Sequence, residues 1–245
     1  MSTAVILQPQ YLPWRGVFEQ IALADVYIHF DDVQFPQGRS FTSRVQVKTA
    51  AGPRWLTVPV LRGGRQTIAQ TQIDESKPWR TEHLRTLEHA YARAPHRDAM
   101  LALARDVLDP APASIGELNA AALERIAAAL GLHPRFARSS AHPSAAKATQ
   151  RLVELCLAHG ATRYVTGHGA LAYLDEALFA QHGIAVEVME YQLTPYAQLH
   201  GDFDPYVTVL DLIANAGTEA ARAHLDSPSV PWAQARAAAA SSERA

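Results

Sequence analysis

Short apolar runs alternate with helix-period stretches along most of the chain. Ala4-Val5-Ile6-Leu7 is apolar, of strand length, and is followed by Gln8-Pro9-Gln10-Tyr11-Leu12-Pro13-Trp14, which reads as a buried strand running into a proline-punctuated loop. From Gly16 to Ala24, Val17, Ile21 and Ala24 share one helical face, with Phe18 and Ala22 beside it. Asp25 marks a break, and Val26 to Phe30 is strand-like again. Strand, loop, helix and strand in that order predict a βαβ unit, and such units imply a parallel sheet.

Further on, Arg44 to Lys48 and Trp55 to Val60 flank Ala50-Ala51-Gly52-Pro53, the pattern of a β-hairpin. Trp79 to Leu108 is helical with a turn near Ala94-Pro95. Asp109-Pro110-Ala111-Pro112-Ala113 is too proline-dense to continue a helix. Ser114 opens the next helix, with Glu117 placed for a capping box, and Gly131 closes it. Arg135–Arg138 (strand), Ala145–Ala158 (helix), Arg163–Thr166 (strand), Ala170–Gln181 (helix) and Ile184–Tyr191 (strand) form a second alternating run. Val207 to Ala214 and Glu219 to His224 are short helices. The expected fold is α/β, a mostly parallel sheet with flanking helices and a β-hairpin insertion. Residues 1–108 form an N-terminal part, residues 114–232 a C-terminal part packed on it, and the Ala- and Ser-rich stretch 233–245 a flexible tail.

Composition narrows the class. With 245 residues and 48% apolar content, the chain can build a packed core. A net charge of −2 advertises neither nucleic acid nor an anionic membrane as a partner. One cysteine, Cys156, leaves no disulfide framework and no paired-cysteine metal site; lying mid-helix between Leu155 and Leu157, it reads as a buried thiol. No apolar run approaches a membrane span and the N-terminus lacks a signal-peptide pattern, so a cytoplasmic protein without a membrane span is expected.

The neutral total hides a polarity. Between Asp32 and Asp74 no acid occurs, while Arg39, Arg44, Lys48, Arg54, Arg62 and Arg65 give six positive charges; from Asp175 onward the balance is −7. A basic hairpin region suits a small anionic ligand such as a phosphate, with Arg44 and Lys48 as candidate contacts. Docking of this stretch on the acidic C-terminal part is the alternative, and nucleic acid the third.

Several residues could carry chemistry. Gln8, Gln10, Tyr11 and Trp14 follow the first strand, where open α/β sheets bind ligands, although Tyr11 and Trp14 could equally pack in the core. Neither a glycine-rich dinucleotide fingerprint nor a phosphate loop is present. Asp31 and Asp32 end the second strand and could hold Mg²⁺, act as a base through Asp32, or cap a turn. Gly167 and His168 join a strand to a helix; Gly167 lets a ligand approach, and His168 is a candidate acid or base. Asp211 and Asn215 lie i,i+4 on an apolar helix, either as ligand contacts or as a buried network.

Gln8-Pro-Gln-Tyr-Leu-Pro-Trp-Arg-Gly16, Ala24-Asp25-Val26, Asp31-Asp32-Val33-Gln34-Phe35, Arg44 and Trp55-Leu-Thr-Val-Pro59 together resemble the WbqC-like proteins. Ala90-Tyr91-Ala-Arg-Ala-Pro95, Tyr164-Val-Thr-Gly167 with Tyr173-Leu-Asp175, Tyr196-Ala-Gln198, Phe203, Val209-Leu-Asp-Leu-Ile-Ala-Asn215 and Gly217 continue the pattern, from about residue 4 to 225. The resemblance adds Gln34, Tyr173 and Gln198 as substrate-binding candidates and assigns no catalytic residue. The segment after Gly167 varies in such proteins, which makes His168 a candidate for substrate selection. Such proteins occur beside enzymes of surface-polysaccharide and natural-product assembly. That implies a transferase moving an acyl or aminoacyl group onto an amine, from a small anionic or carrier-bound substrate and with a carrier protein as a conceivable partner. The opening also looks like a degenerate nucleotidyltransferase start, but Pro13 to Gly16 lacks the histidines of a HxGH loop. A Mg²⁺-dependent nucleotide-activating enzyme and a non-catalytic ligand-binding subunit remain the alternatives.

Overall fold

The computed structural model describes residues 1–242. Six strands form one sheet in the order β5-β2-β1-β6-β7-β8: β1 (Thr3–Leu7), β2 (Val26–His29), β5 (Arg135–Arg138), β6 (Arg163–Thr166), β7 (Ala185–Met189) and β8 (Ser229–Pro231). The first five run parallel, and β8 pairs antiparallel with β7 at one edge. β3 (Arg44–Thr49) and β4 (Gly52–Thr57) form a separate antiparallel hairpin. This is the α/β fold with a hairpin insertion that the alternating pattern predicts.

Both faces of the sheet are covered, as a parallel sheet requires. Side chains alternate across it with the two-residue period of a strand. Val5 and Tyr27 enter one apolar core, while Ala4, Ile6, Val26 and Ile28 enter the other. The first core is closed by α1 (Arg15–Leu23), the hairpin, α2 (Trp79–Ala90), α3 (Arg97–Leu108), α4 (Ile115–Ala129) and α7 (Val209–Ala216). The second is closed by α5 (Ala148–Ala158), α6 (Glu176–Gln181) and Trp232 at the start of α9 (Trp232–Ser242). A short α8 (Thr218–Arg222) follows α7.

One sheet takes strands from both sides of residues 109–113, with β1 and β2 lying between β5 and β6. Three details differ from the sequence reading. The capping box at α4 is offset: Ser114 Oγ accepts from Glu117 N, but the Glu117 carboxylate accepts from Ala113 N, one residue earlier. Instead of a helix from Ala170, a single 3₁₀ turn spans His168–Ala172 and α6 starts at Glu176. The stretch expected to be a flexible tail is helical from Trp232 to Ser242, with Ala235 buried and Arg236 Nη1 donating to Leu171 O; residues 243–245 of that reading lie outside the described residues. Among the described residues no helix is long and apolar enough to cross a membrane.

Candidate functional site

β1 has β2 on one side and β6 on the other: the chain runs from β1 through β2 to β5 on one side, then crosses back from β5 through α5 to β6 on the other, so the strand order reverses at β1. Ligands of open α/β sheets bind outside the carboxyl ends of the strands at such a switch point. Here that crevice is bounded by residues 8–14 after β1, the start of α1, Gly167 and His168 after β6, and residues 190–208 between β7 and α7. The last segment is longer than an ordinary connection and has no regular structure, which is typical of lids and binding loops.

α1 is apolar on nearly every face, yet carries Arg15 and Glu19 one turn apart, both buried. Arg15 Nε lies 3.0 Å from Glu19 Oε1, and Arg15 Nη1 donates to Thr194 O at 2.6 Å, so the arginine also pins the covering segment. Ser227 Oγ donates to the second Glu19 oxygen at 2.5 Å. Burial pushes the Glu19 carboxyl above its ordinary range, against the opposing pull of Ser227 and Arg15. Among the described residues Arg15 Nη2 and Gln20 Oε1 are buried without a hydrogen-bond partner. Buried polar groups are rarely left so, and those that are need a reason.

Trp14 precedes this pair at the N-cap of α1. Its indole folds across Gly16, where a Cβ would stand only 2.2 Å from the ring; no side chain fits there while Trp14 keeps its place. The ring packs on Tyr191 and Tyr206 with centroids 5.1 and 5.5 Å apart. The Tyr191 hydroxyl accepts from Gln20 Nε2 and would sit 3.2 Å from a Cβ on Gly167, so the glycine makes room for it. Burial pushes the Tyr191 hydroxyl up to about 12. His168 is exposed at the rim, 6.4 Å from the Tyr191 ring between centroids.

A second polar cluster underlies the same segment and joins four of the sequence-predicted residues. Lys48, buried on β3, donates to Gln198 Oε1 at 2.8 Å and to the carbonyls of Gly201 and Asp202. Gln198 Nε2 donates to Asp211 Oδ1 at 2.8 Å, as does Tyr196 at 2.7 Å, and Asn215 Nδ2 reaches the same oxygen at 3.2 Å. Burial raises the Asp211 carboxyl, opposed by the hydrogen bonds from Tyr196 and Gln198. The Tyr91 hydroxyl and Asp211 interact with each other, the tyrosine helping to hold the carboxylate charge, although Tyr91 Oη and Asp211 Oδ2 fall outside strict hydrogen-bond geometry. Backbone strain collects here too: Leu12, Leu193 and His200 have φ of 41°, 46° and 68° without being glycine.

The other predicted residues stand apart from these clusters. Tyr11 is enclosed, its hydroxyl 2.8 Å from His83 Nδ1 and its ring edge-on to Trp79; it is a core residue with no face left for a ligand. Gln8 is exposed and Gln10 half-buried on the loop. Gln34 is exposed and bridges to Thr67, and Tyr173 is 68% exposed. Arg44 lies over the Trp55 ring at 4.1 Å.

The acidic pair is fully engaged. Asp31 accepts from Ser139 Oγ, Ser140 N and Ser140 Oγ at 3.0–3.1 Å. Asp32 accepts from Ser139 Oγ at 2.6 Å and Arg151 Nη2 at 2.7 Å. Ser139 follows β5 and Arg151 lies on α5, so the pair ties those elements to β2. Among the described residues no group of three or more His, Cys, Asp or Glu is arranged to hold a metal ion.

Sequence reasoning missed Arg15, Glu19, Gln20, Tyr91 and Tyr191. A signal for the first two existed: opposite charges at i,i+4 on a helix apolar all round.

Comparison with known proteins agrees with the resemblance. The chain is 38% identical over 224 residues to an uncharacterized protein of Mycobacterium tuberculosis, Rv1507c, covering 90% of this chain and 96% of that one. No solved structure matches. The model of the WbqC-like protein family matches residues 8–223, from the loop after β1 to the end of α8. The chain belongs to the WbqC-like protein family.

Proposed function

We propose that this protein is a transferase that moves an acyl or aminoacyl group onto an amine of a sugar or other biosynthetic intermediate, in polysaccharide or natural-product assembly. The observation that carries the reading is Arg15: a buried guanidinium with an unpartnered N–H at the switch point, beneath an irregular covering segment. A desolvated guanidinium is a strong partner for an oxyanion or a phosphoryl oxygen. The amine nitrogen attacks the acyl carbonyl carbon, forming the C–N bond, while the bond from that carbon to the donor's leaving group breaks. Arg15 Nη2 receives the charge that develops on the carbonyl oxygen. His168 takes the proton released by the amine and returns it to the leaving group. Both Asp32 oxygens already accept hydrogen bonds, which favours His168 over Asp32 as the base. The same engagement of Asp31 and Asp32 leaves Mg²⁺-dependent nucleotide activation with less support.

Substrate entry requires residues 190–208 to lift, and the pins from Arg15 and Lys48 are the bonds that must yield. The donor is a small anionic or carrier-bound acyl group, and a carrier protein is its natural bearer. The test is to incubate the protein with acyl and aminoacyl thioesters and amino-sugar nucleotides and to seek the amide by mass. Product is expected with wild type, with turnover lowered about 10²–10⁴-fold by His168→Asn at unchanged melting temperature. Product formation unaffected by His168→Asn, or no product from any pair, overturns the proposal.

A further inference from the structure

A cleft of about 720 Å³ opens between the tip of the β3–β4 hairpin and α2, apart from the crevice. That volume falls in the range of small-molecule sites. One wall is made of small apolar residues (Ala50, Ala51, Pro53 and, from α2, Ala90), which leave room rather than fill it. The charged lining is two guanidinium groups, Arg54 from β4 and Arg85 from α2, against the single carboxylate of Glu82, with the imidazoles of His89 from α2 and His200 from the covering segment beside them. His200 Nε2 lies 2.6 Å from Ala90 O, which fixes that ring at the cleft. Arg54 and Arg85 are exposed and have no ion pair within 4.0 Å among the described residues, unlike Arg80, Arg97 and Arg151, which each have an acidic partner.

We infer that this cleft is a binding site for a phosphate-bearing small molecule. Its phosphoryl oxygens lie on the guanidinium groups of Arg54 and Arg85, and its organic part lies on the alanine and proline wall. Arginine is the side chain best shaped for phosphoryl oxygens, because its fork donates two parallel hydrogen bonds. The basic character of residues 39–65 then has a definite use. Lys48, Arg44 and Arg62 are engaged with Gln198, Trp55 and Gln37 respectively, whereas Arg54 is left to meet a ligand. The inference does not depend on the transferase reading: of the residues named here only His200 belongs to the segment that bounds the crevice, and neither Arg54 nor Arg85 does.

Inorganic pyrophosphate, titrated calorimetrically into the full chain at low ionic strength, tests it. Binding in the millimolar range or tighter is expected, with Arg54→Ala and Arg85→Ala each weakening it about tenfold, the scale of one charged hydrogen bond. Glu82→Gln should tighten binding about threefold by removing the opposing charge, whereas Arg62→Ala, elsewhere on the same basic stretch, should leave it unchanged. All four positions are exposed, so unchanged melting temperatures will confirm intact folds. No binding at about 10 mM pyrophosphate, or an Arg62→Ala loss equal to that of Arg54→Ala, overturns the site; the second result would mean diffuse surface charge.

Discussion

Replacing Arg15 by methionine keeps the unbranched stem as far as Nε and removes the rest of the guanidinium with its charge, and the cost should depend on pH in a way that follows from Glu19. Both residues are buried, and Arg15 Nε is 3.0 Å from Glu19 Oε1. Without Arg15, Glu19 faces a choice between remaining ionised in a dry site and taking up a proton. Protonation sets the ceiling. From an unfolded value of about 4.3, at 1.36 kcal/mol per unit, it costs about 3.7 kcal/mol at pH 7 and about 1 kcal/mol at pH 5. Loss of the hydrogen bond to Thr194 O adds about 1 kcal/mol at either pH. A carboxyl whose folded value is raised contributes stability below its unfolded value and loses it as pH rises through the folded value. The defect therefore deepens toward neutrality. Because Glu19 is already raised in the wild type, urea unfolding of wild type and Arg15→Met should differ by at most about 5 kcal/mol at pH 7, and by less, at most about 2 kcal/mol, at pH 5. Adding Glu19→Gln should restore most of the pH 7 loss. A defect equal at both pH values, or below about 1 kcal/mol at pH 7, refutes the reasoning.

Three other outcomes are expected. Gly16→Ala puts a methyl group where the Trp14 ring lies, so the indole must swing out; stability should fall by about 1–3 kcal/mol with a changed near-UV dichroism band, and an unchanged spectrum would contradict the packing. Burial holds the His83 imidazole down to about 4, so stability should drop by about 3 kcal/mol as pH falls from about 6.5 to about 4. His83→Gln should flatten that part of the curve, and a wild-type curve already flat there would show that His83 accepts its charge. Asp32→Asn should cost about 1–3 kcal/mol by weakening the Arg151 contact, while EDTA should leave the melting temperature in place. A clear fall on chelation would put a metal at Asp31 and Asp32.

The fold was legible where local pattern and global packing agree. Ala4–Leu7 and Val26–Phe30 read as strands because both faces of that sheet are dry; the hairpin was legible too, although Gly52 and Pro53, read as turn residues, pair with Thr49 and Lys48 at the start of β4. The helix from Trp232 was overlooked although alanine is the strongest helix former; composition suggested a tail, and packing against β7 and β8 is invisible in the chain. At the site, the i,i+4 pair Asp211 and Asn215 signalled a buried network. That Lys48 and Gln198 complete it depends on a contact across 150 positions, which only the folded chain supplies. The partners of Asp31 and Asp32 are hidden in the sequence for the same reason, since Ser139 lies 107 positions from Asp32 and Arg151 lies 119. Tyr11 could have packed or bound from sequence alone, and its partner His83, distant in the chain, decides for packing.

The central claim is that substrate enters the crevice at the ends of β1 and β6 by lifting residues 190–208. Amide hydrogen exchange of the intact protein, with and without an amino-sugar nucleotide and an unreactive acyl-thioester analogue, tests it most directly. The account predicts increased protection in residues 8–16, 167–172 and 191–204. Protection confined to residues 49–54 and 82–90, or no change anywhere, would contradict it.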